Sequence, residues 1–234
     1  MPKVVLEDQG AAAVLRLSNG ATNALDAELV DELFTALDAV KGRYGGLVLA
    51  GNTKFFSIGL DVPHLRLLGR EAMAAFWNRF EDLVLALYTL PMPTACAICG
   101  HATGGGAILA LACDYRFMSA GKKLIALNEV KIGVPVPYLA DLMLRQIVTD
   151  RVAVEIEFGS GFLGPGEARA AGLADAVDDE KAVEAKALEK VRALAAVPRT
   201  ALALTKQHRT REIPLRFKAI REQLNRAFLD CWFE

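Results

Sequence analysis

Residues 100–115 read GHATGGGAILALACDY. They follow TACAIC (94–99), an apolar run of strand length. Three consecutive glycines, Gly104, Gly105 and Gly106, then lead into an almost wholly apolar segment, 107–113, long enough for two helical turns. A buried strand, a glycine turn and a buried helix leave backbone N–H groups at the helix start without intrahelical partners. Glycine lets another molecule approach that backbone closely, so the turn suits an anion or an oxygen on which charge develops. The same small residues also let a helix pack tightly on a sheet. This stretch alone leaves both readings open.

On either side the chain alternates strand and helix patterns. Residues 4–7 and 12–17 are β-type runs around Asp8-Gln9-Gly10 and read as a hairpin. From Asp26, apolar residues at Leu29, Val30, Leu33, Phe34, Leu37 and Val40 recur at helical spacing. GLVLA (46–50) reads as a strand buried on both faces, and 70–90 as a long amphipathic helix stopped by Pro91 and Pro93. Residues 114–119 and 123–127 are again strand-like. Beyond Asn128, Pro135 and Pro137 punctuate a loop, and helices are expected over 138–148, 151–158, 166–171, 181–195, 200–211 and 215–233. The alternation predicts an α/β fold with a largely parallel sheet.

Composition narrows the function. Hydrophobic residues make up 53% of the 234, ample for a core, and the net charge is −1. That balance gives no electrostatic case for nucleic acid or a membrane surface, and no apolar run approaches the ~18 residues of a membrane span. The first residues, MPKVVLEDQG, carry no signal-peptide pattern, so a cytoplasmic location is expected. Cys96 and Cys99 have CxxC spacing, but strand positions three apart face opposite sides, which favours thiols over a redox or metal pair. Metal-ligand spacing is absent. Ser57, Asp61 and His64 supply the residue types of a hydrolase triad yet crowd one loop, whereas triads draw partners from separate elements.

Two motifs in combination resemble the crotonase (enoyl-CoA hydratase/isomerase) superfamily. One is Phe56-Ser57-Ile58-Gly59-Leu60-Asp61. The other is Gly100 with Gly104-Gly105-Gly106, followed by a helix ending Ala112-Cys113-Asp114. Asn23-Ala24-Leu25, Asn128-Glu129, Glu167-Ala168 and Gly172-Leu173 extend the similarity over nearly the whole chain. The resemblance implies a crotonase-like (ClpP/crotonase) spiral of ββα units, with a core over 1–195 and a helical C-terminal region over 196–234. It implies assembly as a homotrimer or dimer of trimers, for which the apolar terminus of Phe228, Leu229, Trp232 and Phe233 offers a surface to cover. It implies an acyl-CoA thioester substrate, with CoA as part of the substrate and no separate cofactor.

By position, the thioester carbonyl oxygen would lie between the N–H groups of Leu60 and Gly105, each such donor typically worth about 3 kcal/mol of barrier. Ala24, Ile58, Asp61, Gly104 and Ile108 would line the substrate. Lys54, Arg66 and Lys206 are candidates for the CoA phosphates. A hydratase of the family carries two glutamates; here the first position is Ile108 and the second is Glu129. Water addition needs one group to take a proton from water and another to protonate the α-carbon. A double-bond shift needs one carboxylate, and the Leu127-Asn128-Glu129 context is similar to the single-glutamate Δ3,Δ2-enoyl-CoA isomerases. The expected activity is therefore enoyl-CoA isomerisation by Glu129. Hydration, another enolate reaction and a non-catalytic acyl-CoA-binding protein stay as alternatives. Asp141 is a candidate second acid. His101 is expected to pack near the pocket, and His208 to lie on a solvated helix face.

Overall fold

The computed structural model describes residues 1–234. Strands β1 (Val4–Gln9) and β2 (Ala12–Leu17) form the expected hairpin, and helix α1 (Ala27–Val40) follows, with the Asp26 carboxylate accepting from the Leu29 N–H as its N-cap. Three turns of a spiral come next. The first is β3 (Gly46–Ala50), β4 (Phe55–Ser57), the short α2 (Val62–Leu65) and α3 (Arg70–Tyr88). The second is β5 (Thr94–Ile98), β6 (His101–Thr103) and α4 (Gly105–Leu111). The third is β7 (Tyr115–Ser119), β8 (Ile125–Ala126), a 3-10 turn over Glu129–Ile132 and α5 (Tyr138–Leu144). Helices α6 (Asp150–Gly159) and α7 (Pro165–Ala170), strand β9 (Ala176–Asp178) and helices α8 (Glu180–Ala195), α9 (Arg199–Thr210) and α10 (Glu212–Trp232) complete the chain.

In each turn the first strand joins a six-stranded sheet, order β1-β2-β3-β5-β7-β9, and the second joins a three-stranded sheet, order β4-β6-β8. All pairings except β1-β2 are parallel. A parallel sheet needs cover on both faces, and the alternation of side chains supplies two kinds of face. Leu15, Leu47, Leu49, Cys96 and Ile98 join the large core beneath α1, α3 and α4. Ala12, Val14, Val48, Ala95 and Ala97 meet Val183, Ala187 and Val191 of α8 on the other side. The small residues there bring α8 close: a Cβ on Gly46 would lie 3.0 Å from the Val191 Cβ. Cys96 and Cys99 are free thiols, one in the large core and the other packed against the second cluster.

The expected architecture stands, with local corrections. The segment 94–113 holds two strands, broken at Gly100, where a Cβ would lie 2.3 Å from the Phe55 nitrogen. Helix α4 begins at Gly105, two residues before the apolar run, because the glycines are themselves helical. The three-residue strands β4, β6 and β9 are too short to show a period, and only Ile125–Ala126 of the 123–127 run pairs. The apolar C-terminal residues expected as a surface for another subunit are largely covered by the chain itself. Phe228, Leu229 and Trp232 are buried within the chain, and α10 packs back on α3 and α5, leaving Phe233 exposed. No helix is long and apolar enough to cross a membrane.

Candidate active site

The FSIGLD loop and the glycine turn are parallel neighbours in the small sheet, locked by hydrogen bonds. Thr103 Oγ1 donates to the Ile58 carbonyl at 2.7 Å, and the Gly104 N–H to the Ala126 carbonyl at 2.9 Å. Asn23, fully buried with φ +49°, donates from Nδ2 to the Phe55 and Phe56 carbonyls, and Ser57 Oγ donates to the Asn23 carbonyl. Ser57 Oγ also accepts from the Gly59 N–H. Its partners are backbone groups, His64 is exposed, and the Asp61 carboxylate caps α2 by accepting from the His64 N–H. No triad forms.

Two glycines allow this approach. Gly59 has φ +98°, and a Cβ there would lie 2.7 Å from the Thr103 carbonyl oxygen and 2.9 Å from the Gly105 nitrogen. A Cβ on Gly106 would lie 2.4 Å from the Ser57 carbonyl oxygen. Tight packing and an open helix start thus share the same glycines. The first intrahelical bond of α4 runs from the Ile108 N–H to the Gly104 carbonyl, which leaves the N–H groups of Gly105, Gly106 and Ala107 without intrahelical acceptors. Across the gap, Leu25 donates to the Gly59 carbonyl and accepts from the Asp61 N–H. The Leu60 N–H between them donates to no protein atom.

These segments wall a cavity of about 380 Å³. All eight residues expected at the site line it: Ala24, Ile58, Leu60 and Asp61 on one side, and Gly104, Gly105, Ile108 and Glu129 on the other. The mouth is the more exposed part, where Ile58 keeps 42% of its surface and Pro63 is exposed. The deep end is apolar and buried: Trp77, Phe80, Ile108, Phe228 and Trp232.

Glu129 begins the 3-10 turn after β8 and is 7% exposed. A Cβ on Gly104 would lie 3.8 Å from its Oε1, so the carboxyl sits beside the glycine turn. Its Oε2 is buried without a hydrogen-bond partner. Burial raises its pKa to about 7; its own backbone N–H opposes the shift and the charge of Glu157 adds to it. Glu129 is the one buried carboxylate on the cavity wall, and Ile108 is buried there as well. The arrangement offers two N–H donors beside a carboxyl group that changes protonation near neutrality, which suits removal and return of a proton next to a carbonyl.

Other candidates lie elsewhere. Lys206 is buried outside the cavity, donating to the Met92 carbonyl and to Asp114, so it is no phosphate ligand. Lys54 and Arg66 are exposed and do not line the cavity. Asp141 is paired with Arg145 beside a neighbouring cavity and is no second acid at this one. His101 packs on Phe55, with ring centroids 5.4 Å apart, and His208 is exposed. The deep aromatic wall has no mark of its own in the sequence: Trp77 follows the α3 core stripe by one residue, and Phe228 and Trp232 show helical i, i+4 spacing without saying what they face.

The profile of the family described as "Enoyl-CoA hydratase/isomerase" matches residues 7–231. The chain belongs to this family. It is 33% identical over 213 residues to mouse mitochondrial enoyl-CoA delta isomerase 1, covering 87% of this chain and 73% of that protein. It is 34% identical over 197 residues to a probable enoyl-CoA hydratase of Mycobacterium avium, covering 83% and 76%. Among solved structures, human mitochondrial delta3-delta2-enoyl-CoA isomerase superposes with a TM-score of 0.94 at 27% identity, covering 98% of this chain and 92% of that one. The fold is the crotonase fold, and the chain is a crotonase-type acyl-CoA enzyme.

Proposed function

We propose that the protein is a Δ3,Δ2-enoyl-CoA isomerase in which Glu129 is the single acid/base. The carrying observation is the pairing on one cavity wall of a buried carboxyl group with an unpartnered oxygen and, in place of a second carboxylate, Ile108. The thioester carbonyl accepts from the Leu60 and Gly105 N–H groups. Ionised Glu129 takes a proton from C2 of the 3-enoyl chain, and the electron pair delocalises to the carbonyl oxygen as a dienolate. The protonated Glu129 then delivers the proton to C4, leaving the double bond between C2 and C3 and restoring the carboxylate. Atoms balance within the substrate, and no water enters. A pKa near 7 lets one group take and return the proton at neutral pH.

Buried Ile108 keeps water from the dienolate, and Ala24, Ile58 and Asp61 at the mouth are the substrate contacts nearest solvent. Relatives named as hydratases keep hydration as the second reading, but the cavity's other carboxylate, Asp61, caps α2 at the mouth, and Ile108 stands where a second buried carboxyl group would activate water. The test is a panel of 3-enoyl- and 2-enoyl-CoA thioesters assayed for both reactions. We expect isomerisation to dominate and Glu129→Gln to lower its kcat by about a thousandfold or more. Full turnover in a folded Glu129→Gln enzyme, or hydration as the faster reaction, would overturn the proposal.

A further inference from the structure

Behind the deep end of the cavity lies a second cavity of about 450 Å³, and the two share Trp77, Pro137 and Phe228 as walls. Trp77 and Phe228 stack face to face with centroids 3.7 Å apart and planes 7° from parallel. Both are buried, at 2% and 3% exposure. The partition is therefore a pair of rings, one from α3 and one from α10.

The rings are anchored from outside the cavity. Trp77 Nε1 donates to Asn225 Oδ1 at 3.3 Å, and Asn225 Nδ2 donates to Glu81 Oε2 at 2.8 Å. The same Glu81 oxygen accepts from Arg221 Nε at 3.0 Å. Swinging Trp77 aside would leave the buried Asn225 oxygen without its donor, a costly outcome in an apolar setting. The far side of the partition is unlike the near side. It carries Glu81, Asp141 and Glu157, and Glu157, 6% exposed, has a buried Oε1 with no hydrogen-bond partner. Val136, Phe217 and Leu224 line the same space, so a methylene chain admitted past the rings would find apolar cover beside those carboxyl groups.

We propose that the Trp77–Phe228 pair determines acyl-chain length: the chain runs inward from the Leu60–Gly105 turn and ends against the stacked rings, and removing a ring opens the second cavity to longer chains. The inference rests on an acyl-CoA substrate and on the chain running inward from the mouth, and is independent of which reaction follows. Each methylene given apolar cover raises affinity about fourfold, so room for two more changes relative affinities by about fifteenfold.

The experiment measures dissociation constants for saturated thioesters from butanoyl- to dodecanoyl-CoA by calorimetry, alongside 3-enoyl-CoA turnover, in the full chain and in Phe228→Ala and Phe228→Leu. Both variants keep the Trp77–Asn225 bond but leave different volumes, so a folded protein is available if the larger deletion fails; circular dichroism and Tm establish folding. We expect wild-type affinity to stop rising with length at the partition. We expect the Phe228 variants to move that limit outward, with the long-to-short affinity ratio up about fifteenfold. Trp77→Phe, which keeps a ring in the wall, should retain the wild-type limit. An unchanged limit in either folded Phe228 variant, or wild-type affinity that keeps rising through dodecanoyl-CoA, overturns the proposal. Loss of isomerisation with a shifted limit would count against the isomerase reading alone.

Discussion

The two ends of the cavity are built by different means. The end proposed to react consists of backbone and one buried carboxyl group, all from segments joined in the small sheet: β4 with its following loop, β6 with the glycine turn, and the residues after β8. The deep end consists of side chains from α3 and α10, elements far apart in the chain that meet through packing and the Asn225 bridge. Backbone geometry tolerates little change, since a donor displaced by a fraction of an ångström misses its oxygen. A side-chain wall can change shape and still hold a chain. Chemistry and selectivity should therefore respond to substitution separately, and three changes test the separation.

Gly59→Ala should have the largest effect. The residue sits at φ +98°, and the new Cβ would press on the Thr103 carbonyl oxygen and the Gly105 nitrogen. Strain and overpacking together should destabilise the fold by about 2–4 kcal/mol. Displacing one carbonyl-binding donor should lower kcat by about a hundredfold or more, with little change in chain-length preference. Denaturant unfolding and steady-state kinetics on two acyl lengths check this. A near-normal kcat would mean that the carbonyl binds elsewhere.

Glu129→Gln separates activity from stability. The folded pKa, about 7, lies above the ordinary carboxylate value of 4.5 because burial penalises the charge. The neutral form is therefore favoured by folding: its contribution to stability is complete below pH ~4.5 and is lost as pH rises through 7. Replacing the group with a neutral amide should leave stability nearly unchanged at pH 5 and raise it by about 1–3 kcal/mol at pH 8, while abolishing turnover. Melting curves at both pH values test the sign. A variant less stable at pH 8 than at pH 5, relative to wild type, would contradict the burial argument.

Legibility in the sequence follows the same division. The hairpin, α1 and α3 show in apolar periodicity because each is long enough to repeat its pattern against a core, and β3 and β5 show as unbroken apolar runs because both their faces are buried. The residues from Ala24 to Glu129 that line the cavity are picked out by motifs that resemble the family's, which stand out because backbone donors and a turn-borne carboxyl group require particular residues at particular steps. The strands β4, β6 and β9 are three residues each, too short for a period, and depend on partners for their identity. Trp77, Phe228 and Trp232 are visible as large apolar residues. Which space they enclose is decided by the return of α10 over α3, a tertiary event with no local mark. Lys206 misleads for a related reason, because a lysine reads as exposed until Asp114 and the Met92 carbonyl are seen to bury it.

The smallest expected effect links the reacting end to the second cavity. Glu157 lies beyond the partition with its own pKa raised to about 7, chiefly by burial and then by Asp141; Arg145 opposes the shift and Asp150 adds to it. Its negative charge makes ionisation of Glu129 harder. Glu157→Gln removes that charge, so the Glu129 pKa should fall and the acidic limb of kcat/KM for isomerisation should move to lower pH by a fraction of a unit. The plateau above pH 8, where Glu129 is already ionised, should hardly change, and neither should the preferred chain length, because the stacked rings stay in place. A limb that moves toward alkaline pH would reverse the sign of the coupling. A change in chain-length preference would show that the two cavities already communicate through Trp77 and Phe228 in the wild-type protein.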